Sequence, residues 1–279
     1  MNHAGRDSHL RRNPGGGTRA GMNRVGWALR SLVFMLFLVL SVVPWASAIV
    51  LAAPFASPAA LYWGCVRWLR VALWGCRTIC GVRARVRGME NVPSADGGGA
   101  VLLAPKHQSI WETFALPTLM PRPLAYVFKR ELLHIPFFGW AMARLDMIHI
   151  DRGKRAEALA LVAAQGRRLF AQGVWVIMFP EGTRTPRGSQ GRYKTGAPRL
   201  AQAAGVPILP IAVASARCWP RRSFLLRPGV VDVVIGPPIA PQGRSPEETM
   251  RAVELWIETE MRRIDAPAYR DAVTPQGDR

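Results

Sequence analysis

Between Ser31 and Val66 the chain carries no Asp, Glu, Lys or Arg. The run LVFMLFLVLSVVPWASAIVLAA (32–53) inside that gap is long enough to cross the hydrocarbon core of a bilayer once, which takes about 20 residues. A second apolar, Trp-rich stretch at 59–80 carries Arg67, Arg70 and Arg77, the mixture expected of a segment lying in a membrane interface. Residues 1–30 are polar, Gly-rich and basic, and read as a disordered tail. Arginines flank the uncharged stretch on both sides: Arg6, Arg11, Arg12, Arg19, Arg24 and Arg30 before it, Arg67, Arg70, Arg77, Arg83, Arg85 and Arg87 after it. The positive-inside rule places both flanks in the cytoplasm, which a single span cannot satisfy. Pro44, Pro54 and Pro58 interrupt the helical pattern and allow the chain to turn back. The expectation is an anchor over 31–80, as a hairpin or as monotopic helices. Ala46-Ser47-Ala48 also fits a signal-peptide cleavage site, but the apolar character continues well past it.

From about Val82 the pattern changes to short β-rich runs alternating with helix-like runs. Strands are predicted at Ala100–Ala104, Ala125–Lys129, Met147–Asp151, Val174–Phe179, Ile208–Ala214 and Val230–Ile235. Between them Arg155–Ala171 has helical spacing, with Leu159, Val162, Ala163, Gly166, Leu169 and Phe170 on one side. This alternation predicts an α/β fold, a mainly parallel sheet flanked by helices, over 81–265, with a core of its own and a tail at 266–279. A last amphipathic helix is predicted from Pro246 to about Ile264, its acidic residues Glu247, Glu248, Glu254, Glu258 and Glu260 reading as a solvated face.

Charge sharpens this picture. The 279 residues include 37 Lys and Arg against 18 Asp and Glu, a formal net charge of +19. Such a balance implies an anionic partner: a membrane surface, a phosphorylated substrate or a nucleic acid. The arginines are scattered, with few basic–aromatic interleavings, which argues against nucleic acid. Cys65, Cys76, Cys80 and Cys218 form no CxxC pair and no Cys/His cluster, so neither a zinc site nor a disulfide scaffold is expected, and a reducing, cytoplasmic setting fits.

Candidate chemistry falls just after the predicted strands. In Lys106-His107-Gln108-Ser109-Ile110-Trp111-Glu112, a carboxylate follows the histidine by five positions across a strand-to-helix turn. A carboxylate there can accept from one ring N–H, fix the tautomer and leave the other nitrogen to take a proton. No GxSxG motif accompanies it, so the base would act on a substrate hydroxyl. Taken alone, a His near a Glu is more often a structural hydrogen bond. In Phe179-Pro180-Glu181-Gly182-Thr183-Arg184, Gly182 permits close backbone approach, Thr183 offers a hydroxyl and Arg184 can grip phosphate in a two-pronged fork. Lys129 and Arg152 sit at predicted strand ends, and Lys194 precedes a helix-like run. Ligands in a parallel sheet gather at the carboxyl ends of the strands, so these residues are expected to converge.

These stretches, in this order over residues 82–240, resemble the four motif blocks of the glycerolipid acyltransferase superfamily, and most of all its bacterial 1-acyl-sn-glycerol-3-phosphate acyltransferase branch. His107 and Glu112 match HxxxxD/E. KRELLHIPFFG with the later Arg152 looks like the second block, FPEGTR (179–184) is the third as it stands, and VPILPIAV (206–213) looks like the apolar fourth. The resemblance implies an α/β enzyme with an N-terminal hydrophobic anchor, bound to the cytoplasmic membrane with its catalytic domain in the cytoplasm. It would move a fatty acyl group from acyl-CoA or acyl carrier protein to the 2-hydroxyl of 1-acyl-sn-glycerol-3-phosphate, giving phosphatidic acid. It implies His107 as general base, Glu112 as its orienter, and Lys129, Arg152, Glu181, Gly182, Thr183 and Arg184 around the acceptor's phosphate; Lys194, by its position, is a further candidate for binding substrate there. No metal or bound cofactor is implied. Another lysolipid acceptor, or a non-enzymatic protein of anionic membranes, is the rival reading. The commonest family pattern has Asn before the histidine and Asp at the fifth position after it; here those positions hold Lys106 and Glu112. The oligomeric state leaves no mark in the sequence.

Overall fold

The computed structural model describes residues 16–97, 99–150 and 155–270. Helix α1 (Gly16–Ala52) is followed by α2 (Pro58–Cys80). The helix extends back to Gly16, so part of the stretch expected as a tail is its first turns. Pro44 is absorbed inside α1, and the chain reverses only beyond Ala52. The reversal has a local cause. Ser57 caps α2, its hydroxyl accepting from the Ala60 amide, and Pro58 takes the first helical position, where no N–H is needed. The two helices pack antiparallel. Trp45 Nε1 donates to Gly64 O at 2.9 Å, Trp68 Nε1 to Ser41 Oγ at 3.2 Å, and Cys80 Sγ lies 3.6 Å from Arg30 O. Gly75 allows the close approach, since a Cβ there would run into the Phe37 ring. The two helices therefore form an antiparallel helical hairpin. Among the described residues one helical stretch, Asn23–Ala52, is long and apolar enough to cross a membrane.

The remaining strands are β1 (Val82–Arg87), β2 (Leu102–Pro105), β3 (Leu124–Lys129), β4 (Ile148–Ile150), β5 (Trp175–Ile177), β6 (Ile208–Val213) and β7 (Gly229–Ile235). They form one sheet in the order β1-β7-β6-β2-β5-β3-β4, with every pairing parallel except β6 with β7. The helices are α3 (Trp111–Leu119), α4 (Phe138–Met142), α5 (Arg155–Ala171), α6 (Gly196–Ala204), α7 (Pro246–Ile264) and α8 (Ala266–Arg270). The start of the segment expected as a C-terminal tail is thus helical.

Strand side chains alternate between two cores, as a two-residue period requires. Leu103, Trp175 and Ile177 join one; Leu102, Ala104 and Val176 join the other. The second core is closed by α5, α6 and α7 through Leu169, Leu200, Val253 and Ile257. The first is closed by α3 together with the hairpin: Phe34 of α1 and Tyr62, Val66, Cys76 and Cys80 of α2 are buried in it. At about 1.5–3 kcal/mol for each large apolar side chain removed from water, this contact is part of the domain's stability. The hairpin is thus a layer of the fold, and the expectation of a self-sufficient core beginning at residue 81 is corrected.

Candidate active site

The carboxyl ends of β2, β5 and β3 lie side by side, and the predicted residues gather there. His107 follows β2, Glu181–Arg184 follow β5, Lys129 ends β3, and Lys194 precedes α6. Arg152 lies outside the described residues.

The turn from β2 into α3 is built around one carboxylate oxygen. Glu112, in the first turn of α3, is fully buried, and its Oε1 accepts from the backbone amides of Gln108 at 2.7 Å and Ser109 at 2.6 Å. The same oxygen lies 2.9 Å from His107 Nδ1. A carboxylate facing Nδ1 selects the tautomer with the proton on Nδ1 and leaves Nε2 as the basic nitrogen. The extra methylene of glutamate therefore does not prevent the pairing. The imidazole stacks on Phe179, ring centroids 3.8 Å apart and planes 20° apart. Phe179 opens the 179–184 motif, so the two motifs touch through these rings. The motif placed Phe179 beside the site but gave no sign that its ring would be the platform for His107.

Beneath the histidine lies an ionic cluster that local sequence did not reveal. Lys106 is completely buried, with Nζ 2.7 Å from Glu181 Oε1 and 2.6 Å from Glu258 Oε1. The ammonium also donates to Ser189 O at 3.1 Å, and Tyr193 donates its hydroxyl to Glu258 Oε1 at 2.8 Å. The other oxygen of Glu181 accepts from the His107 amide at 2.8 Å. Thr185 bonds His107 O through both its amide, at 2.8 Å, and its hydroxyl, at 3.1 Å. Two sequence expectations change here. Glu258, read as part of a solvated face, is 2% exposed at the centre of the cluster. Glu181, expected at the substrate, is turned inward and committed to Lys106 and the His107 backbone. Burial raises the Glu181 carboxyl above its ordinary range, against the opposing pull of Lys106. The lysine in place of the commoner asparagine is thus a structural cation joining β2, the 179–184 loop and α7.

Gly182, Thr183 and Arg184 remain on the open side. Gly182 has φ 68°, which favours glycine, and a Cβ there would stand 2.7 Å from Lys194 Nζ, so a larger residue would also push that flexible amine aside. The Lys194 amide donates to Pro180 O at 2.9 Å, holding the two segments together. Lys129 is half exposed and pairs with Glu131 at 2.7 Å. Arg192 and Arg199, neither singled out from sequence, line the same cavity. Their signal was proximity to Lys194 in a basic run, which looks like any solvated surface.

A cavity of about 1170 Å³ joins these parts. His107 and Phe179 lie in its wall, together with the cations Lys129, Arg184, Arg192 and Lys194 and with Trp45, Ile49, Val66 and Trp68 of the hairpin. It thus combines basic groups, apolar surface and an imidazole in one wall. No group of three or more His, Cys, Asp or Glu positioned to hold a metal ion occurs among the described residues.

Known proteins show the same arrangement of sequence and fold. Residues 83–214 match the family described as Acyltransferase. The chain is 41% identical over 241 residues to a 1-acyl-sn-glycerol-3-phosphate acyltransferase of Pseudomonas aeruginosa, covering 85% of this chain and 92% of that one. It is 32% identical over 183 residues to the human 1-acyl-sn-glycerol-3-phosphate acyltransferase alpha, covering 64% and 63% respectively. The crystal structure of the 1-acyl-sn-glycerophosphate acyltransferase from Thermotoga maritima superposes with a TM-score of 0.72 at 22% identity, over 87% of this chain and 99% of that one, a likeness of fold.

Proposed function

The chain belongs to the 1-acyl-sn-glycerol-3-phosphate acyltransferase family and is an acyltransferase; from that membership we propose that it acylates the 2-hydroxyl of 1-acyl-sn-glycerol-3-phosphate, with acyl-CoA or acyl carrier protein as donor, to give phosphatidic acid. The observation that carries this reading is the His107–Glu112 pair, 2.9 Å apart, in the wall of a cavity lined by both cations and apolar side chains.

His107 Nε2 takes the proton of the acceptor's hydroxyl as its oxygen attacks the thioester carbonyl. Glu112 holds the ring and stabilises the imidazolium that forms. When the tetrahedral intermediate collapses, the carbon–sulfur bond breaks, and the leaving sulfur takes the proton back from His107. Acyl ester and free thiol are the products. Arg184, Lys194 and Lys129 hold the acceptor's phosphate, with Gly182 and Thr183 shaping that subsite, and we assign Arg152 to the same subsite. The apolar lining, formed partly by the hairpin, receives acyl chain from the bilayer. The hairpin seats the enzyme on the cytoplasmic membrane, its two ends and the sheet domain on the cytoplasmic side.

The test is His107→Ala in purified, lipid-reconstituted protein, assayed with radiolabelled acyl donor against a panel of lysolipids. Loss of a positioned general base is expected to cost roughly 10²–10⁴-fold, with folding and membrane binding intact. Activity within a few-fold of the unsubstituted protein would sink the mechanism. Preference for a lysolipid without a phosphate monoester would sink the acceptor assignment.

A further inference from the structure

Between the short helical turn Ser215–Arg217 and β7 the chain makes an excursion that pairs with no strand. Its inner side is fixed to the hairpin. Trp219 is buried edge-on against Phe34 with centroids 5.9 Å apart, and the Leu226 amide donates to Ser31 Oγ at 2.8 Å. Trp219 Nε1 also donates to Ser223 O at 3.0 Å, which closes the loop on itself. Its outer side is different. Phe224 is 62% exposed, and Arg222 and Arg227 are exposed with no ion pair among the described residues. Arg222 has φ 57°, uncommon for a side chain of that size, so the loop tip is held in a specified conformation.

The attachment point tells what this surface meets. Ser31 and Phe34 lie just past the last arginine of α1, Arg30, beyond which its exposed side chains Leu32, Val33 and Leu36 are apolar and no charge follows before Arg67. On a helix that enters a bilayer, that is the level of the headgroups. An exposed aromatic ring flanked by two uncommitted arginines at that level suits the boundary between anionic headgroups and acyl chains.

We propose that the loop 219–227 is a second membrane contact, in which Arg222 and Arg227 take anionic lipid headgroups and Phe224 inserts among the first acyl carbons. This rests on the reading of α1 as the bilayer anchor. The contact bears on the site as well, because Arg221 of the same loop donates from Nη1 to Arg184 O at 2.7 Å. Seating the loop on lipid therefore also seats the 179–184 turn.

The experiment places the photoreactive residue benzoylphenylalanine at Phe224, at Leu40 on the exposed side of α1, or at Leu255 on α7 behind the opposite sheet face. Each full-length protein is reconstituted in vesicles containing radiolabelled phosphatidylglycerol and irradiated. Positions 224 and 40 are expected to capture lipid and position 255 is not. Adding Arg222→Gln and Arg227→Gln should lower capture at 224 by at least about threefold in anionic vesicles and much less in phosphatidylcholine alone. Capture at 40 without capture at 224 above the level of 255 overturns the proposal and leaves the anchor standing. Failure at both 40 and 224 overturns the anchor and the proposal together. Capture at 224 that ignores the two arginines removes the headgroup assignment.

Discussion

The two sides of the cavity handle charge in opposite ways. Under His107 all three carboxylates are buried and engaged: Glu112 with the imidazole and two amides, Glu181 and Glu258 with Lys106. On the open side, Arg184, Arg192 and Lys194 have no ion pair among the described residues. Buried charges stripped of water are costly unless paired, and once paired they hold their geometry. Exposed cations keep most of their hydration, cost little to maintain and stay free to meet an anion. The buried side therefore sets where the base stands, and the open side sets what can be brought to it. Substitutions on the first should disturb structure or turnover, and substitutions on the second should disturb substrate affinity.

The largest effect is expected from Lys106→Met, which strands two buried carboxylates. Breaking a buried pair by removing one partner costs about 3–5 kcal/mol. At roughly 2–4 °C per kcal/mol for a domain of this size, the melting temperature should fall by roughly 6–20 °C. Lys106→Met combined with Glu258→Leu should regain part of that loss, because one stranded charge is gone. Thermal unfolding in detergent within about 2 °C of the unsubstituted protein would place the cluster among interactions of no consequence.

Next comes the orienting carboxylate. Glu112→Gln keeps the size of the side chain and removes its charge, so imidazolium is no longer stabilised and the tautomer is no longer fixed. Turnover should fall on the order of 100-fold with little change in KM, and Glu112→Asp should retain more, since it keeps the charge. Equal activity of the two variants would show that the negative charge on Glu112 has no part in turnover.

The same contrast divides what is legible in the amino-acid sequence from what is not. Six of the seven strands and α7 are legible because apolar periodicity is a local property, whereas β1 (VRARVR), half of it arginine, carries too little apolar signal; the gathering of the site residues follows from the rule that parallel strands present ligands at their carboxyl ends. The pairing of His107 with Glu112 is legible because only five positions separate them. The Lys106–Glu258 pair is not: 152 residues lie between them, and Glu258 sits among glutamates that do face water. An inward glutamate on an acidic helix has no signature of its own. The inward turn of Glu181 is hidden for the same reason, since its partner is the lysine that replaces a commoner asparagine. The two apolar segments and the prolines between them are legible, but the packing of their helices into the core is not, because an apolar helix face looks the same whether it meets lipid or a sheet.

The smallest effect sharpens the open side, and it separates two cations that look alike in the sequence. Arg184 follows Gly182 in the turn after β5, unpaired among the described residues, with its carbonyl held by Arg221. A guanidinium meets phosphate as a fork, and a charge-assisted hydrogen bond of that kind is worth about 1.5–3 kcal/mol. Arg184→Ala should therefore raise the KM for the phosphorylated acceptor by roughly 10–100-fold, leaving the KM for the donor within a few-fold. Lys129 is half exposed and already engaged by Glu131 at 2.7 Å, so its net attraction for a phosphate is reduced. An exposed pair is worth about 0.2–1 kcal/mol, and Lys129→Ala should change the acceptor KM by no more than about fivefold. Steady-state kinetics at fixed, saturating donor checks both. If Lys129→Ala costs as much as Arg184→Ala, Glu131 must release Lys129 when substrate arrives, and the open side reorganises on binding. If neither matters, the phosphate is held by other cations of the cavity, with Arg192 and Lys194 the first to substitute.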